Sequence, residues 1–143
     1  MMTRKEENTF ERELTLIYEA NKKHLVELMF FDSEIKFLKI LLTKYFALQT
    51  ATIQINKIQL IGDKLSQINL IRKNINTDAL THQGNLEAQF KGLTQHHTYF
   101  YTLESKRITI EVHDLEHQYR KVKSEIFQLS KVILSERNLK SNN

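Results

Sequence analysis

With 143 residues and 41% hydrophobic content, the chain has the usual size of one domain and enough apolar side chains for a core. The absence of Pro, with only three Gly, disfavours turn-rich architectures such as sandwiches, barrels and doubly wound sheets, and the absence of Cys excludes disulfides, thiolate nucleophiles and Cys-bound metals. The net charge of +4 is spread thinly, because acids interleave with bases almost everywhere, which argues against the concentrated basic stripe that nucleic-acid binding needs.

Targeting and membrane signals are lacking in the sequence. Residues 1–9 are polar and charged, unlike the apolar segment of a signal peptide. No window of 18 residues in the apolar regions escapes a charge. We therefore expect a cytoplasmic protein with no membrane partner.

The first predicted helix carries apolar residues at alternating steps of four and three positions over about five heptads. This pattern is typical of a helix packed along its length against another helix. Its apolar members are Phe10, Leu14, Ile17, Leu28, Phe31, Ile35, Leu38, Leu42 and Tyr45. Asn8 and Glu11 have the spacing of a capping box, so we expect helix 1 to span about residues 9–48.

Two polar residues, Asn21 and His24, interrupt this seam at adjacent a and d positions. A buried polar residue at such a position commonly specifies helix register or partner number at some cost in stability. We interpret both residues as core polar groups that specify register. The functional alternative makes them ligands or a pH switch.

The apolar surface of helix 1 widens beyond the seam in its second half. Phe30 and Phe37 fall at c positions, and Leu41 and Leu48 fall at g positions. These positions adjoin the seam on a helical wheel, so one partner helix cannot cover them all. We therefore predict an interaction surface here that meets a second neighbour, either from the same chain or from another copy.

The second predicted helix spans about residues 50–78. Residues 52–55 and 58–60 alternate as strands do, which leaves a hairpin conceivable, but no Asn-Gly or Asp-Gly turn separates them. The apolar positions that continue at helical spacing are Ile58, Ile61, Leu65, Ile68, Ile71 and Ile75. Whether helices 1 and 2 are continuous is open. Asp78, Gly84 and Asn85 predict a loop at about residues 78–85.

The third predicted helix spans about residues 86–137 and is followed by a tail at 138–143. After a phase slip near Tyr101 its seam becomes regular at Ile108, Val112, Leu115, Tyr119, Val122, Ile126, Leu129 and Ile133. The prediction is an all-α single domain, 1–143, folded as an elongated antiparallel three-helix bundle of coiled-coil type. A helix of about 40 residues is about 60 Å long, so we expect a rod.

Residues 27–35 read Glu-Leu-Met-Phe-Phe-Asp-Ser-Glu-Ile, and residues 124–129 read Ser-Glu-Ile-Phe-Gln-Leu. The first stretch resembles the E-L-x-F-[FY]-x-x-E-[IL] pattern in the opening helix of a group of small helical, coiled-coil-type proteins of flavobacteria and their relatives. The second lies where that group carries a final helix. The group has no assigned activity, so the resemblance implies the helical architecture alone.

Two pairs of histidines are candidates for metal binding or for stacking on bases. His113 and His117 are four residues apart, a spacing that lets two imidazoles bind one metal, but they fall at b and f positions, away from the seam. We predict an exposed pair that is dispensable for folding and binds no metal tightly. His96 and His97 lie among aromatic residues that could stack on bases, and we interpret them as helix 3 packing.

The sequence therefore predicts a non-enzymatic helical interaction or scaffold protein without a cofactor, whose partner is a protein and which self-associates as a homo-oligomer. Two other classes stay open. One is a metal-binding bundle that uses His24, His113 or His117. The other is a nucleic-acid or ribosome-associated protein, for which the only support is a pI near 9.2.

Overall fold

The computed structural model describes residues 3–46 and 52–141. Helix α1 spans Arg4–Ile40 and continues into a π-helical segment, Leu41–Phe46. Helix α2 spans Thr52–Phe90, and helix α3 spans Thr98–Ser141. The described residues contain no strand, so the fold class is all-α and the hairpin alternative for residues 52–61 is wrong.

The N-terminal cap of α1 lies five residues earlier than the sequence suggested. The Thr3 amide donates to Glu6 Oε2 at 3.2 Å, and the Glu6 amide donates to Thr3 Oγ1 at 3.2 Å. This reciprocal pair is a capping box, and it satisfies two amides that a helix start leaves without partners. The helix therefore begins at Arg4 rather than near Thr9.

The end of α1 changes its helical geometry. In the π-helical segment Leu42 remains buried, but Tyr45 is exposed although its spacing placed it in the seam. A π-helix has more residues per turn than an α-helix, so positions after Leu42 rotate away from the seam. The predicted connection between helices 1 and 2 lies outside the described residues, as does Leu48.

Helix α2 runs through residues 78–85, so the predicted loop there is wrong. The seam continues without a break at Ile75, Ala79, His82 and Leu86, all of which are buried. Gly84 is exposed on the other side of the helix and costs only about 1 kcal/mol relative to Ala in a helix interior. Packing of the seam outweighs this weak local preference for a turn.

The connection between α2 and α3 lies at residues 91–97. Gly92 has φ of 73°, its amide donates to the Gln89 carbonyl at 3.0 Å, and the Leu93 amide donates to the Ala88 carbonyl at 2.9 Å. These two bonds form a Schellman motif, in which a left-handed glycine ends a helix. The Gly92 conformation therefore fixes the true end of α2.

Helix α3 begins at Thr98 rather than near residue 86. The Tyr99 amide donates to Nδ1 of His97 at 3.1 Å, so the His97 ring takes the place of a side-chain N-cap. Tyr101 is buried, and Ser105 and Ile108 follow it at steps of four and three residues. The heptad register of α3 is therefore continuous from Tyr101, and the phase slip predicted near this residue is wrong. All eight predicted α3 seam positions, from Ile108 to Ile133, are buried.

Contacts divide the chain into two compact units, each containing a segment of all three helices. The first unit comprises Met1–Met29 and Lys73–His113, and the second comprises Phe30–Arg72 and Asp114–Asn143. In the first unit Leu14, Leu86 and Tyr101 form a buried cluster. In the second unit the buried apolar residues are Phe31, Ile35, Leu38, Leu42, Ile58, Ile61, Leu65, Ile68, Leu115, Tyr119, Val122, Ile126, Leu129 and Ile133.

Candidate functional site

An apolar surface lies on α1 in the second unit, where it extends from the edge of the buried seam onto the exposed side of the helix. We call it the phenylalanine face and define it as Phe30, Phe37, Ile40 and Leu41. Phe30 and Phe37 are 58% and 59% exposed, Ile40 is also exposed, and Leu41 is half-buried. Within its own chain, therefore, more than half of each phenylalanine remains accessible. The sequence anticipated an apolar surface here but not whether the chain itself would cover it.

The acidic residue beside this face is engaged by a basic residue of the same unit. Glu34 lies one helical turn from both phenylalanines, and its Oε1 atom is 3.7 Å from Lys123 Nζ. This pair neutralises the carboxylate locally, which lowers the cost of bringing an apolar partner against the face.

A second pair of exposed apolar residues lies on α3 in the same unit. Phe127 and Leu134 are 56% and 53% exposed and are also seven residues apart. Lys123 Nζ lies 5.9 Å from the centre of the Phe127 ring, and Lys131 follows one turn later. The Lys123 ammonium also lies 3.7 Å from Glu34 Oε1, so Phe127 and the residue beside the phenylalanine face share one basic neighbour.

A surface groove of about 410 Å³ lies between α2 and α3 in the second unit. Leu60, Ile61, Leu129 and Val132 supply its apolar lining, and a salt bridge of 3.1 Å from Lys64 to Glu125 lies on its wall. Lys57, Ser124 and Gln128 complete the lining, so the groove is mixed in polarity.

Asn21 is buried in the first unit, where it joins α1 to α2. Its Nδ2 group donates to the Ala79 carbonyl at 2.9 Å and to Gln83 Oε1 at 2.9 Å. The two acceptors are one helical turn apart on α2. A shift of α2 by one turn would bring another backbone carbonyl to the place of Ala79, but it would remove the Gln83 side chain. The bond to Gln83 is therefore the contact that depends on register.

His24 is half-buried and joins α1 to α3. Its Nε2 atom lies 3.0 Å from Thr109 Oγ1. The Thr109 hydroxyl donates its hydrogen to the Ser105 carbonyl at 2.8 Å. The Thr109 oxygen must therefore act as the acceptor toward His24, so the proton of the neutral His24 ring lies on Nε2. Nδ1 of His24 faces Glu27 Oε2 at 3.8 Å.

His82 is a core residue that was not predicted from the sequence. It is 1% exposed, and neither ring nitrogen has a hydrogen-bond partner among the described residues. Its ring centre lies 6.4 Å from that of Tyr101. Burial lowers the pKa of His82 below its ordinary value. The available signal was the four-and-three spacing from Ile75 to Leu86, which the predicted loop obscured.

The other histidines lie where packing or solvent accounts for them. His113 and His117 are both exposed. His96 stacks on Phe100 with ring centres 4.6 Å apart, and His97 caps α3. No cluster of three or more His, Asp or Glu side chains able to hold a metal occurs in the described part of the chain.

Comparisons with known proteins supply no family for this chain. No protein-family model matches it, no curated protein matches it, and no solved structure matches it. Across residues 3–46 and 52–141, no helix combines the length and apolar character needed to cross a bilayer.

Proposed function

We propose that this chain is a non-enzymatic interaction or scaffold protein of the cytoplasm that self-associates through the phenylalanine face. The observation that carries the proposal is the exposure of Phe30 and Phe37 one heptad apart on the same face of α1. Aromatic side chains are enriched in the cores of protein interfaces, and contiguous exposed apolar patches mark such surfaces. Leu41 and Leu48 belong to the same predicted surface, the latter beyond the described residues.

The phenylalanine face is small for a protein interface. Its four residues are few beside the about 20–30 residues that each partner contributes to a stable interface. We therefore expect weak self-association that increases with protein concentration.

We include in the proposal that the helices pack as an antiparallel bundle of coiled-coil type. In the first unit, Tyr18 bonds Glu87 and Asn21 bonds Gln83, so contact positions rise along α1 as they fall along α2. In the second unit the pairs between α2 and α3 are Gln54 with Glu136 and Lys64 with Glu125, again in reversed order. The buried steps of four and three support the coiled-coil part of the proposal.

Light scattering coupled to gel filtration tests the proposal with two matched double variants. Phe30→Gln/Phe37→Gln removes both aromatic rings with a residue that favours helix and adds no charge. Leu70→Gln/Leu80→Gln is the control, because these two leucines of α2 are exposed to a similar extent. We expect the average mass of the wild-type chain and of the control to rise above the monomer mass of 17.0 kDa as the protein concentration increases. The average mass of the Phe30→Gln/Phe37→Gln variant should stay at the monomer value.

Two results would contradict the proposal. A wild-type mass of one chain at every concentration would show that the phenylalanine face stays exposed in a monomer. If the average mass fell equally in the two double variants, the interface would have to lie elsewhere than on α1. The metal-binding alternative with His24, His113 or His117 and the nucleic-acid alternative stay hypotheses, since no contact among the described residues favours either.

A further inference from the structure

His82 occupies a seam position of α2 that is closed to solvent. Ala79 and Leu86, its neighbours along the seam, are fully buried, and Tyr101 of α3 lies against the ring. A neutral imidazole has one donor and one acceptor, whereas an imidazolium has two donors and a positive charge. Among the described residues, neither nitrogen of the neutral His82 ring has a hydrogen-bond partner. Protonation would therefore bury a positive charge and two N–H donors without acceptors from those residues.

The charged groups that face His82 offer it little compensation. On α3, the charges of Glu104 and Arg107 act on His82, and these two residues are paired with each other. On α2, Asp78 accepts from Arg107 at 3.2 Å, and Glu87 accepts from the Tyr18 hydroxyl of α1 at 3.3 Å. On α1, Asn21 lies at the level of His82. Its Nδ2 group donates to the Ala79 carbonyl and to Gln83 Oε1, which lie on either side of His82 in the sequence, and Asn21 carries no charge.

These groups act on His82 in opposite directions. Burial is the largest cause of its lowered pKa, Glu104 partly offsets that effect, and Arg107 adds to it. Glu104 is hydrogen-bonded to Arg107, which is the largest cause of the lowered pKa of that carboxyl, and the charge of His82 contributes to the same lowering. Glu104 therefore acts on His82 only through charge, since among the described residues neither ring nitrogen has a hydrogen-bond partner.

We propose that His82 makes the first unit an acid-sensitive element, in which protonation of the buried ring opens the seam between α2 and α3. The opening exposes the imidazolium to water and separates it from Tyr101. Tyr101 also donates through its hydroxyl to Gln89 Oε1 at 2.9 Å, and Gln89 Oε1 accepts from the His96 amide at 2.9 Å. Opening at His82 therefore loosens the connection between α2 and α3.

The direction of the pH effect follows from linkage. A histidine whose pKa is lower in the folded state than in the unfolded chain binds more protons when unfolded. Its contribution to stability is complete above the unfolded value, near 6.5, and is lost as the pH falls toward the folded value. This inference stands independently of self-association, because it concerns the interior of the first unit and not the phenylalanine face.

Urea unfolding of the full chain between pH 7.5 and pH 5 tests the inference. One proton can raise the equilibrium constant for unfolding by up to about tenfold per pH unit. We expect His82→Leu and His82→Gln to remove that part of the slope, whereas His113→Gln, which alters an exposed histidine on α3, retains the wild-type slope. Equal slopes in the wild type and in both His82 variants would overturn the inference.

Two measurements on the wild-type chain keep the inference testable even where a His82 variant fails to fold. Nuclear magnetic resonance should show one histidine ring that titrates below the ordinary value, and titration of His82 at or above about 6.5 would overturn the inference. Hydrogen exchange corrected for intrinsic rates should show earlier loss of protection at low pH in residues 79–90 than in residues 58–68. A uniform loss in both segments would also contradict it.

Discussion

At the scale of single residues, polar side chains in the seams differ in how completely they are satisfied. Asn21 makes two hydrogen bonds to α2, and His24 makes one to Thr109. His82 makes none that the described residues supply. The sequence predicted polar interruptions of the α1 seam, but the same kind of position on α2 was missed because its neighbours Gly84 and Asn85 resemble a turn.

The first prediction at this scale concerns His24. His24→Leu exchanges one hydrogen bond, worth about 1 kcal/mol, for apolar packing at a half-buried position. The two effects are similar in size, so we expect the free energy of unfolding to change by less than about 1 kcal/mol. Urea denaturation measures it. A loss of several kcal/mol would show that His24 belongs to a bond network of larger energy than its contact with Thr109.

At the scale of secondary-structure elements, the sequence predicted the existence of the helices better than their ends. Steps of four and three located the seams because burial requires that spacing in any long packed helix. The caps depend on single residues whose signals recur by chance: both Thr3 with Glu6 and Asn8 with Glu11 fit a capping box, and the structure uses the first. Similarly, Gly84 and Gly92 both suggest a helix end, and only Gly92 has positive φ.

These two glycines give a paired prediction with opposite signs. Gly92→Ala places a side chain at φ of 73°, which costs about 1–2 kcal/mol, so the variant should be less stable than the wild type. Gly84→Ala lies within α2 with no atom within 4 Å of the added Cβ, so it should stabilise by about 0.5–1 kcal/mol. Thermal or urea unfolding measures both. Destabilisation by Gly84→Ala would contradict the placement of residues 78–85 in a continuous helix.

At the scale of the whole molecule, the absence of Pro and the low Gly content disfavoured turn-rich folds, and the long seams then predicted an all-α fold. The candidate surface was predicted in part. Periodicity placed Phe30 and Phe37 beside the seam, but it could not say whether another helix of the same chain would cover them, because that depends on the angle at which the helices pack. Their exposure in the structure separates them from Phe31, which is buried and lies against Tyr119 with ring centres 5.3 Å apart.

The most direct test of self-association places a reporter on the phenylalanine face. Since the chain contains no Cys, Ile40→Cys accepts a single environment-sensitive fluorophore on this face, and Ile110→Cys provides a matched exposed isoleucine on α3. Each labelled protein is held at trace concentration while unlabelled wild-type chain is added. We predict a saturable blue shift for the label at position 40 and a constant spectrum for the label at position 110. A constant spectrum at position 40 across the concentration range would contradict self-association through this face.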